Sequence, residues 1–403
     1  MRFVCAFLLV GNAPSLRAAE PKTFRAGAAT SNISPWLGLS INGNFTDHIA
    51  TNIHDELHAR CLVLDDGRTQ FAFVVVDSCM VPREIFDLAK QLVHGETSIL
   101  QDHILMSATH AHSAPAATGV FQSEPDPAYQ DFLARRIADG VRRALNNLAP
   151  ARIAWGSAQV AGQVFNRRYT MRPGTVMLDP FGGTNDLVKM NPGVGNTNVV
   201  EAAGPTDPEV SFISVTSTNG TPLAVLANYS LHYCGGIGPG NISADYYGMF
   251  ADRLQQLLGA DRQDPGFVAI MSNGTSGNIN NVNVLVQQPN QPPYGQMKLV
   301  ANEVAEAVFK SMQKLSYRDW VPIATKQTEI SLSVRRPKPQ EVERAEQSLA
   351  LAKESQLRTP EQVYARETVL MNDYPPQVDL IHQAVRIGDL AIAAIPCEVF
   401  VEI

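Results

Sequence analysis

Short apolar runs of strand length recur along the whole 403-residue chain and alternate with amphipathic segments of helical period. Several of these runs are continuously apolar, which is typical of strands that are buried on both faces. Strands interleaved with helices predict an α/β protein, and no internal repeat is visible in the sequence. The predicted strands lie at residues 59–64, 71–76, 103–107, 212–216, 223–229, 267–271 and 384–395.

Three amphipathic helices are predicted between or after these strands. Five apolar residues between positions 133 and 148 form a stripe opposite four arginines, a second stripe runs from 297 to 308, and a third helix covers 341–353. Residues 169–208 are rich in Gly, Pro and Asn and have no clear period. A loop of that length inside a compact domain is usually functional, and no linker divides the chain.

Composition excludes several classes of protein. Hydrophobic residues make up 45% of the chain and charged residues 18%, so the chain can bury a large core and is not disordered. The net charge of −7 argues against a nucleic-acid-binding protein, which would carry an excess of basic residues. No apolar run approaches the ~20 residues that a membrane span needs.

The first 19 residues are interpreted as a secretory signal. Arg2 is followed by the apolar run 3–10, and residues 16–19 end in two alanines, which is the order of a cleaved export signal. The alternative is a buried first strand, which Gly11, Asn12 and Pro14 would interrupt. We therefore expect an exported protein whose mature domain covers 20–403.

Four cysteines lie outside the signal, at positions 61, 79, 234 and 397, and no pair has C-x-x-C spacing. In an exported protein Cys61 could join Cys79, but small buried thiols are the favoured interpretation.

Histidines and carboxylates at strand ends are the candidates for chemistry. His110 and His112 follow the strand 103–107, and on an extended backbone residues two apart point to the same side. His232 ends the strand 223–229 beside a glycine-rich loop, and Glu398 follows an apolar strand that stops at Pro396. Two or three histidines and one glutamate form a typical catalytic zinc site. Hydrogen-bonded loop histidines and a glutamate at a helix start are the alternatives, and Asp245 is expected to be a helix N-cap.

The order of these motifs resembles the N-terminal catalytic domain of the neutral/alkaline ceramidase family, from about residue 25 to the end of the chain. The family's T-H-T-H-S-G-P is nearly reproduced at 109–115 (THAHSAP), and its N-R element matches Asn166-Arg167. The other matches are 27–35 (GAATSNISP) to G-x-x-x-x-D-I-(T/S)-P, His54, Ala59-Arg60, 76–81 (VDSCMV) to D-x-G-M-V, His232, 243–245 (SAD) to S-G-D, and 396–398 (PCE) to P-G-E.

The resemblance implies a fold and roles for these residues. The fold would be α/β, with mixed β-sheets packed face to face and helices outside. His110, His232 and Glu398 would hold Zn²⁺, His112 would be an acid, base or hydrogen-bond donor beside the metal, and Arg167 would face the scissile carbonyl or the product carboxylate. The chemistry would be hydrolysis of an amide, in which zinc polarises the carbonyl and activates water.

The sequence departs from the family pattern at the nucleophile. The family's N-x-G-D-x-S-P-N corresponds to 273–281 (NGTSGNINN), and a gapless match puts Asn280 on the serine, whereas a one-residue gap puts Ser276 there. The gapless match is favoured. In that register a zinc-activated water attacks directly, and Asn280 could donate a hydrogen bond to the oxyanion.

The family's zinc tyrosine and its C-terminal immunoglobulin-like domain have no counterpart before Ile403, so we expect a domain truncated at its C terminus. The predicted function is an exported zinc-dependent hydrolase of an amide or ester bond, acting on a small-molecule or lipid-like acyl amide. The alternative is a non-catalytic metal- or ligand-binding module that retains the fold.

Overall fold

The computed structural model describes residues 22–264, 266–287 and 289–403, so the signal interpreted at 1–19 lies outside the described residues. Strands and helices alternate along the described chain. The strands are β1 Arg25–Asn32, β2 Ser40–Ile41, β3 His48–Ile49, β4 Asn52–Ile53, β5 His58–Asp65, β6 Gln70–Val76, β7 Ile104–Ala108, β8 Ala149–Gln159, β9 Phe165–Asn166, β10 Arg168–Met171, β11 Val188–Met190, β12 Val199–Ala202, β13 Glu209–Ser217, β14 Pro222–Tyr229, β15 Asn241–Ile242, β16 Val268–Asn273, β17 Ile279–Asn280, β18 Ile323–Ser333, β19 Gln377–Ile387 and β20 Leu390–Ala394. The α-helices are α1 Arg83–Glu96, α2 Pro127–Asn146, α3 Asp245–Leu258, α4 Gly295–Met312, α5 Pro339–Ala350 and α6 Pro360–Asn372, with short 3₁₀ turns at Gln101–His103 and Ala161–Gln163.

The main sheet is a mixed sheet with the strand order β16-β14-β13-β8-β1-β5-β6-β7. Among the described residues, its two halves are joined where Arg25 and Ala26 of β1 pair with Pro150 and Ala149 of β8. Side chains from β1, β5 and β6 share one buried cluster with side chains from β8, β13, β14 and β16. The two halves therefore pack face to face, as expected for an α/β fold with packed mixed sheets.

Helices cover both outer faces of this sandwich. Helices α1 and α2 pack on the half that contains β5 and β6, while α3 and α4 pack on the half that contains β13, β14 and β16. Alternate residues of β5 are buried on opposite faces of the sheet. Cys61 and Val63 pack against the helices, and Leu62 and Leu64 pack against the other half-sheet. This double burial is why the strand runs are continuously apolar.

The two halves repeat one topology although the sequence shows no repeat. In the first half β5 and β6 are antiparallel, and α1 leads to β7, which pairs parallel to β6. In the second half β13 and β14 are antiparallel, and α3 leads to β16, which pairs parallel to β14. Each half thus ends in a parallel strand pair, and the loops after both pairs lead to the site described below.

Two sequence-based predictions about elements are wrong. The apolar run 384–395 is a hairpin between β19 and β20, because Gly388 turns the chain with a φ of 62°. Residues 169–208 are not a bare loop, since β10, β11 and β12 form a small sheet there. Among the helices of the described residues, none combines the length and apolarity that crossing a lipid bilayer requires.

Candidate metal centre and active site

Three histidine rings meet above the carboxyl ends of the two parallel strand pairs. The Nε2 atom of His110, which follows β7, lies 3.0 Å from Nε2 of His232, which follows β14. The Nε2 atom of His112 lies 3.0 Å from the same atom of His110. His110 and His232 are 122 positions apart in sequence, so folding of both half-sheets brings them together.

His110 does not continue the strand, and the extended-backbone argument for its pairing with His112 is wrong. Strand β7 ends at Ala108, and His110 has a φ of 72°, in the left-handed region that non-glycine residues seldom adopt. The His110 amide donates to the carbonyl of Ser78 at 2.8 Å, which anchors the turn. The two rings converge because of this turn, not because of a two-residue strand period.

Backbone carbonyls fix the tautomers of His110 and His232. The Nδ1 atom of His110 donates to the carbonyl of Cys79 at 2.8 Å, and Nδ1 of His232 donates to the carbonyl of Ser276 at 3.1 Å. A carbonyl only accepts, so in each neutral ring the proton is on Nδ1 and a lone pair is on Nε2. Two lone pairs 3.0 Å apart repel each other, and a cation bound by both relieves that repulsion.

The arrangement is the same in both halves of the fold. In each parallel strand pair, the loop of one strand supplies the histidine and the loop of its neighbour supplies the carbonyl that orients it. Such partners are known to fix the ring and the tautomer of metal-binding histidines.

Glu398 adds a carboxylate to this cluster. Its oxygens lie 4.0 Å from Nε2 of His110 and 3.7 Å from Nε2 of His232. The three donor groups lie within 4.8 Å of one another, which is the separation expected if they share an ion. Arg167 donates to Glu398 Oε1 at 3.1 Å and also to the carbonyl of Gly277, so the guanidinium holds the carboxylate in place.

A second group of possible ligands joins Cys79 to His110 and His112. The Cys79 sulfur lies 3.9 Å from Nδ1 of His110, and that nitrogen already donates to the Cys79 carbonyl. The Nε2 side of His110 therefore offers the better donor set, formed with His232 and Glu398. Cys61 and Cys79 are both buried and free, so no disulfide joins them.

Burial keeps the imidazoles neutral, which is the form that binds a metal. Loss of hydration lowers the pKa of His110, and the nearby Glu398 carboxylate partly opposes that decrease. Burial, with the adjacent His110 as the next cause, lowers the pKa of His112 to about 3 and that of His232 to about 2.

His112 is held mainly by packing. Its ring stacks on Tyr233 with centroids 3.8 Å apart and planes inclined by 13°. Gly43 lies so close that a Cβ there would be 2.5 Å from Cγ of His112. The buried Nδ1 atom forms no well-aligned hydrogen bond with the described residues. The nearby Gly43 backbone nevertheless raises the pKa of His112 slightly against the lowering caused by burial.

Asp245 is not the N-cap that the sequence suggested. It is the first residue of α3, has a φ of 56°, and follows the cap residue Ala244. Its carboxylate accepts hydrogen bonds from the amides of Cys234 at 3.0 Å and Gly235 at 2.9 Å. Burial raises the pKa of Asp245 to about 6. The residue therefore fastens the loop that follows His232 and Tyr233.

A cavity of about 280 Å³ opens beside the cluster, and Arg167, His232, Tyr233 and Asn280 line it. Asn280 donates through Nδ2 to Oδ1 of Asn191 at 2.8 Å, which leaves one N–H of that amide for another acceptor. Ser276 is buried, is not among the residues that line this cavity, and contacts His232 through its backbone carbonyl. The structure thus brings His110, His112, Arg167, His232, Glu398 and Asn280 to one site, with the Ser276 main chain behind His232.

The site lies within a stretch of chain with known relatives. Residues 43–292 match the neutral/alkaline non-lysosomal ceramidase family, N-terminal. The chain belongs to this family. The match includes His110, His112, Arg167, His232, Ser276 and Asn280, whereas Glu398 lies beyond it.

Two curated ceramidases of Dictyostelium discoideum are similar to the chain. Neutral ceramidase B is 22% identical over 297 residues, which is 69% of this chain and 38% of that protein. Neutral ceramidase A is 24% identical over 260 residues, which is 60% of this chain and 33% of that protein. The matched regions therefore cover less than half the length of these relatives.

Solved structures share the fold of this ceramidase-family chain. The neutral ceramidase from Pseudomonas aeruginosa superposes with a TM-score of 0.65 at 15% identity, over 93% of this chain and 62% of that one. A ceramidase complexed with C2 gives the same TM-score at 14% identity, over 93% and 63% of the two chains.

Sequence reasoning missed the groups that orient the ceramidase-family histidines. The carbonyls of Cys79 and Ser276 carry no sequence signal, because any residue supplies a carbonyl. Tyr233 and Gly43 had a weak signal: Tyr233 directly follows His232, and Gly43 lies in a segment with two nearby asparagines. The contact of Tyr233 with His112 forms only when both half-sheets are assembled, and that of Gly43 forms between two loops of the first half.

Proposed function

We propose that the chain is a zinc-dependent hydrolase of N-acyl amides, similar to the ceramidases. The observation that carries this proposal is the pair of Nε2 lone pairs, 3.0 Å apart, that the Cys79 and Ser276 carbonyls direct at one point beside Glu398. Two histidines and one glutamate form a typical catalytic zinc site, in which the remaining position stays open for water and substrate.

His110, His232 and Glu398 would hold the ion. A bound zinc ion would polarise the acyl carbonyl and bring the pKa of a coordinated water towards ~7. Arg167 keeps the Glu398 carboxylate aimed at the histidines, and its position at the cavity also suits an acyl carbonyl or a carboxylate product.

His112 and Asn280 are proposed to act on the substrate. The Nε2 atom of His112 lies 3.0 Å from that of His110, beside the proposed ion, where it can relay a proton from the attacking water to the leaving amine. Because burial lowers the pKa of His112 to about 3, the ring holds that proton only transiently and gives it up readily. Asn280 lines the cavity with one N–H free, so it can stabilise the oxyanion. Ser276 is not the nucleophile in this proposal; water is.

Exposed apolar side chains around the cavity support a lipid-like acyl substrate. We call this group the apolar rim; it comprises Val176, Leu178, Leu187, Met190, Val194, Val200, Val282, Leu285 and Val286, each at least 43% exposed. Val194 and Val282 also line the cavity, and the two segments are joined where the Gly195 amide donates to the Val284 carbonyl at 3.0 Å. The cavity has Arg167 and Asn280 in its lining to bind the head of the substrate, and the apolar rim suits its acyl chains.

The test is metal content together with turnover. The purified full chain should bind one zinc ion per molecule and hydrolyse N-acyl sphingosine, and chelation should abolish activity that zinc then restores. An ester of the same acyl group tests whether the amide is required. Zinc-loaded protein that binds these lipids but releases no fatty acid would instead support a non-catalytic binding module.

The proposal that the protein is exported is tested separately, by fusing residues 1–19 to a reporter that is active only in the periplasm.

A further inference from the structure

His112 is surrounded in a way that differs from the other two histidines of the cluster. His110 and His232 each donate from Nδ1 to a backbone carbonyl, at 2.8 and 3.1 Å. The Nδ1 atom of His112 is buried and lacks a well-aligned partner among the described residues. Apart from the contact of its Nε2 atom with His110 at 3.0 Å, packing must therefore contribute to the orientation of this ring.

The contacts of His112 identify what does so. Tyr233 stacks almost parallel to the ring at a centroid distance of 3.8 Å, whereas His232 is inclined to Tyr233 by 50° at 5.4 Å. Gly43 packs against Cγ and Nδ1 of His112, where a Cβ would lie 2.5 and 2.7 Å away. The main chain of His112 is also fixed, because Asn44 donates to its carbonyl at 3.3 Å.

The Tyr233 ring is itself held firmly. Gly235, with a φ of 65°, lies so close that a Cβ there would be 3.1 Å from Cε2 of Tyr233. Asp245 fastens the amides of Cys234 and Gly235, the two residues that follow Tyr233. The Tyr233 ring is thus fixed in position. In the stacked pair, Gly235 packs against Tyr233 and Gly43 packs against His112.

We propose that Tyr233 and Gly43 are positioning residues that hold the His112 ring by stacking and close packing, so that its Nε2 atom faces the reacting groups. The catalytic part of this proposal rests on the proposed function, because the benefit of a positioned His112 is proton transfer. The structural part does not, since ring orientation can be measured in a protein without activity.

Variants at Tyr233 separate stacking from the phenol group. Tyr233→Phe keeps an aromatic face and should retain kcat, whereas Tyr233→Leu should lower kcat by about 10²-fold, since a misplaced catalytic group costs that much. Zinc content should stay at the wild-type value in both, because His110 and His232 keep their carbonyl partners. A general loss of structure would instead lower zinc content and melting temperature together.

The second variant acts from the other side of the ring. Gly43→Ala leaves Tyr233 intact but places a methyl group on His112, and it also strains the main chain because Gly43 has a φ of 94°. It should lower kcat similarly with KM little changed and zinc content at the wild-type value, whereas a general loss of structure would lower zinc content as well. The matched control is Tyr294→Leu, which removes the stack of Tyr294 on His54 at 3.6 Å and 9°, and should leave kcat unchanged.

The orientation of the ring is read by NMR on protein labelled in its nine histidines, with His112→Gln used to assign the His112 signals. Stacking shifts the His112 ring protons upfield; Tyr233→Leu should remove that shift and Tyr233→Phe should keep it. Unchanged His112 signals in Tyr233→Leu and Gly43→Ala would overturn the proposal, as would full kcat after the shift is lost. A wild-type protein that hydrolyses nothing would refute the proposed function alone, since the NMR result still decides what positions His112.

Discussion

The chemistry of the site depends on which nitrogen of each histidine carries the proton. The Cys79 and Ser276 carbonyls place that proton on Nδ1 of His110 and His232, so both Nε2 atoms present lone pairs to the same point. Without these carbonyls, one of two neutral imidazoles at 3.0 Å could flip and donate an N–H···N hydrogen bond to the other. The carbonyls prevent this, and the site is thereby prepared for a cation.

Zinc content is predicted to depend on this donor set. Replacing His232 or Glu398 by glutamine should reduce bound zinc well below one ion per chain, because losing one of three protein donors weakens a tetrahedral site severely. His94→Gln, at the exposed end of α1, is the matched control and should bind zinc normally. Metal analysis after dialysis gives the result, and full zinc in both site variants would contradict the assignment.

The nucleophile is tested by two neighbouring substitutions. Ser276→Ala should leave hydrolysis largely intact, because Ser276 contacts His232 through its carbonyl and alanine keeps that carbonyl. Asn280→Ala should lower kcat by about 10²-fold, the usual cost of losing an oxyanion donor. A trapped acyl-enzyme on Ser276, or complete loss of activity in Ser276→Ala, would restore the serine mechanism.

At the scale of elements, the repeated half-sheet explains why the site is where it is. Each half ends in a parallel strand pair with a crossover helix, and in such sheets ligands bind beyond the carboxyl ends of the strands. Placing two halves face to face brings two such ends together. One histidine and one orienting carbonyl from each half then supply most of the proposed metal site.

Gly27 shows how the first half-sheet holds its helix. A Cβ at Gly27 would lie 2.2 Å from the Ala144 carbonyl oxygen and 2.7 Å from the Leu148 amide nitrogen, so the end of α2 rests directly on β1. Gly27→Ala should lower the free energy of unfolding by about 1–3 kcal/mol, the usual cost of overpacking. Gly95→Ala in α1, where no atom lies within 4 Å, should be neutral or stabilising. Urea denaturation measures both, and equal stabilities would contradict this contact.

Much of the element order could be predicted from the sequence, because continuous apolar runs mark strands buried on both faces. The run 384–395 was misread for a physical reason: its apolar pattern continues through the turn at Gly388, so only the glycine signals the hairpin. The repeated topology of the two halves could not be predicted, because the sequence pattern of a strand does not show whether it pairs parallel or antiparallel with its neighbour.

The site was predictable to a smaller extent. His110, His232 and Glu398 stand at strand ends and could be selected from sequence, but the left-handed turn at His110 and the Asp245 contacts could not. Both depend on main-chain geometry. The stacking of Tyr233 on His112 depends on a contact across the two half-sheets.

At the scale of the whole molecule, the apolar rim lies on segments that belong to neither half-sheet. Leu187 is 83% exposed and Leu285 is 58% exposed, and each lies on a segment that also supplies residues to the lining of the cavity, such as Asn191 and Val284. The small sheet of β10, β11 and β12 carries part of the rim together with the loops that join its strands, and the loop after β17 carries the remainder.

Charging the apolar rim should separate two kinds of substrate. Leu187→Asp combined with Leu285→Asp should reduce turnover of a long-chain acyl amide in phospholipid vesicles by about 10²-fold or more, because each leucine that a bound acyl chain covers contributes on the order of 1.5–3 kcal/mol. Turnover of a soluble short-chain amide should be unchanged. Leu351→Asp, equally exposed at the end of α5, is the control. An equal loss on both substrates would show that the rim does not contact acyl chains.

The donor groups come from three separately packed parts of the chain, at positions 110, 232 and 398. Because a ribosome adds residues in order, a growing polypeptide that already carries both folded half-sheets still has two histidines without their carboxylate. Under the proposed function, the unfinished chain is therefore inactive however well its first part has folded. Termination between the end of β16 at Asn273 and Glu398 would leave both histidines without their carboxylate, and the onset of activity during synthesis would report that the segment after β20 has reached its place.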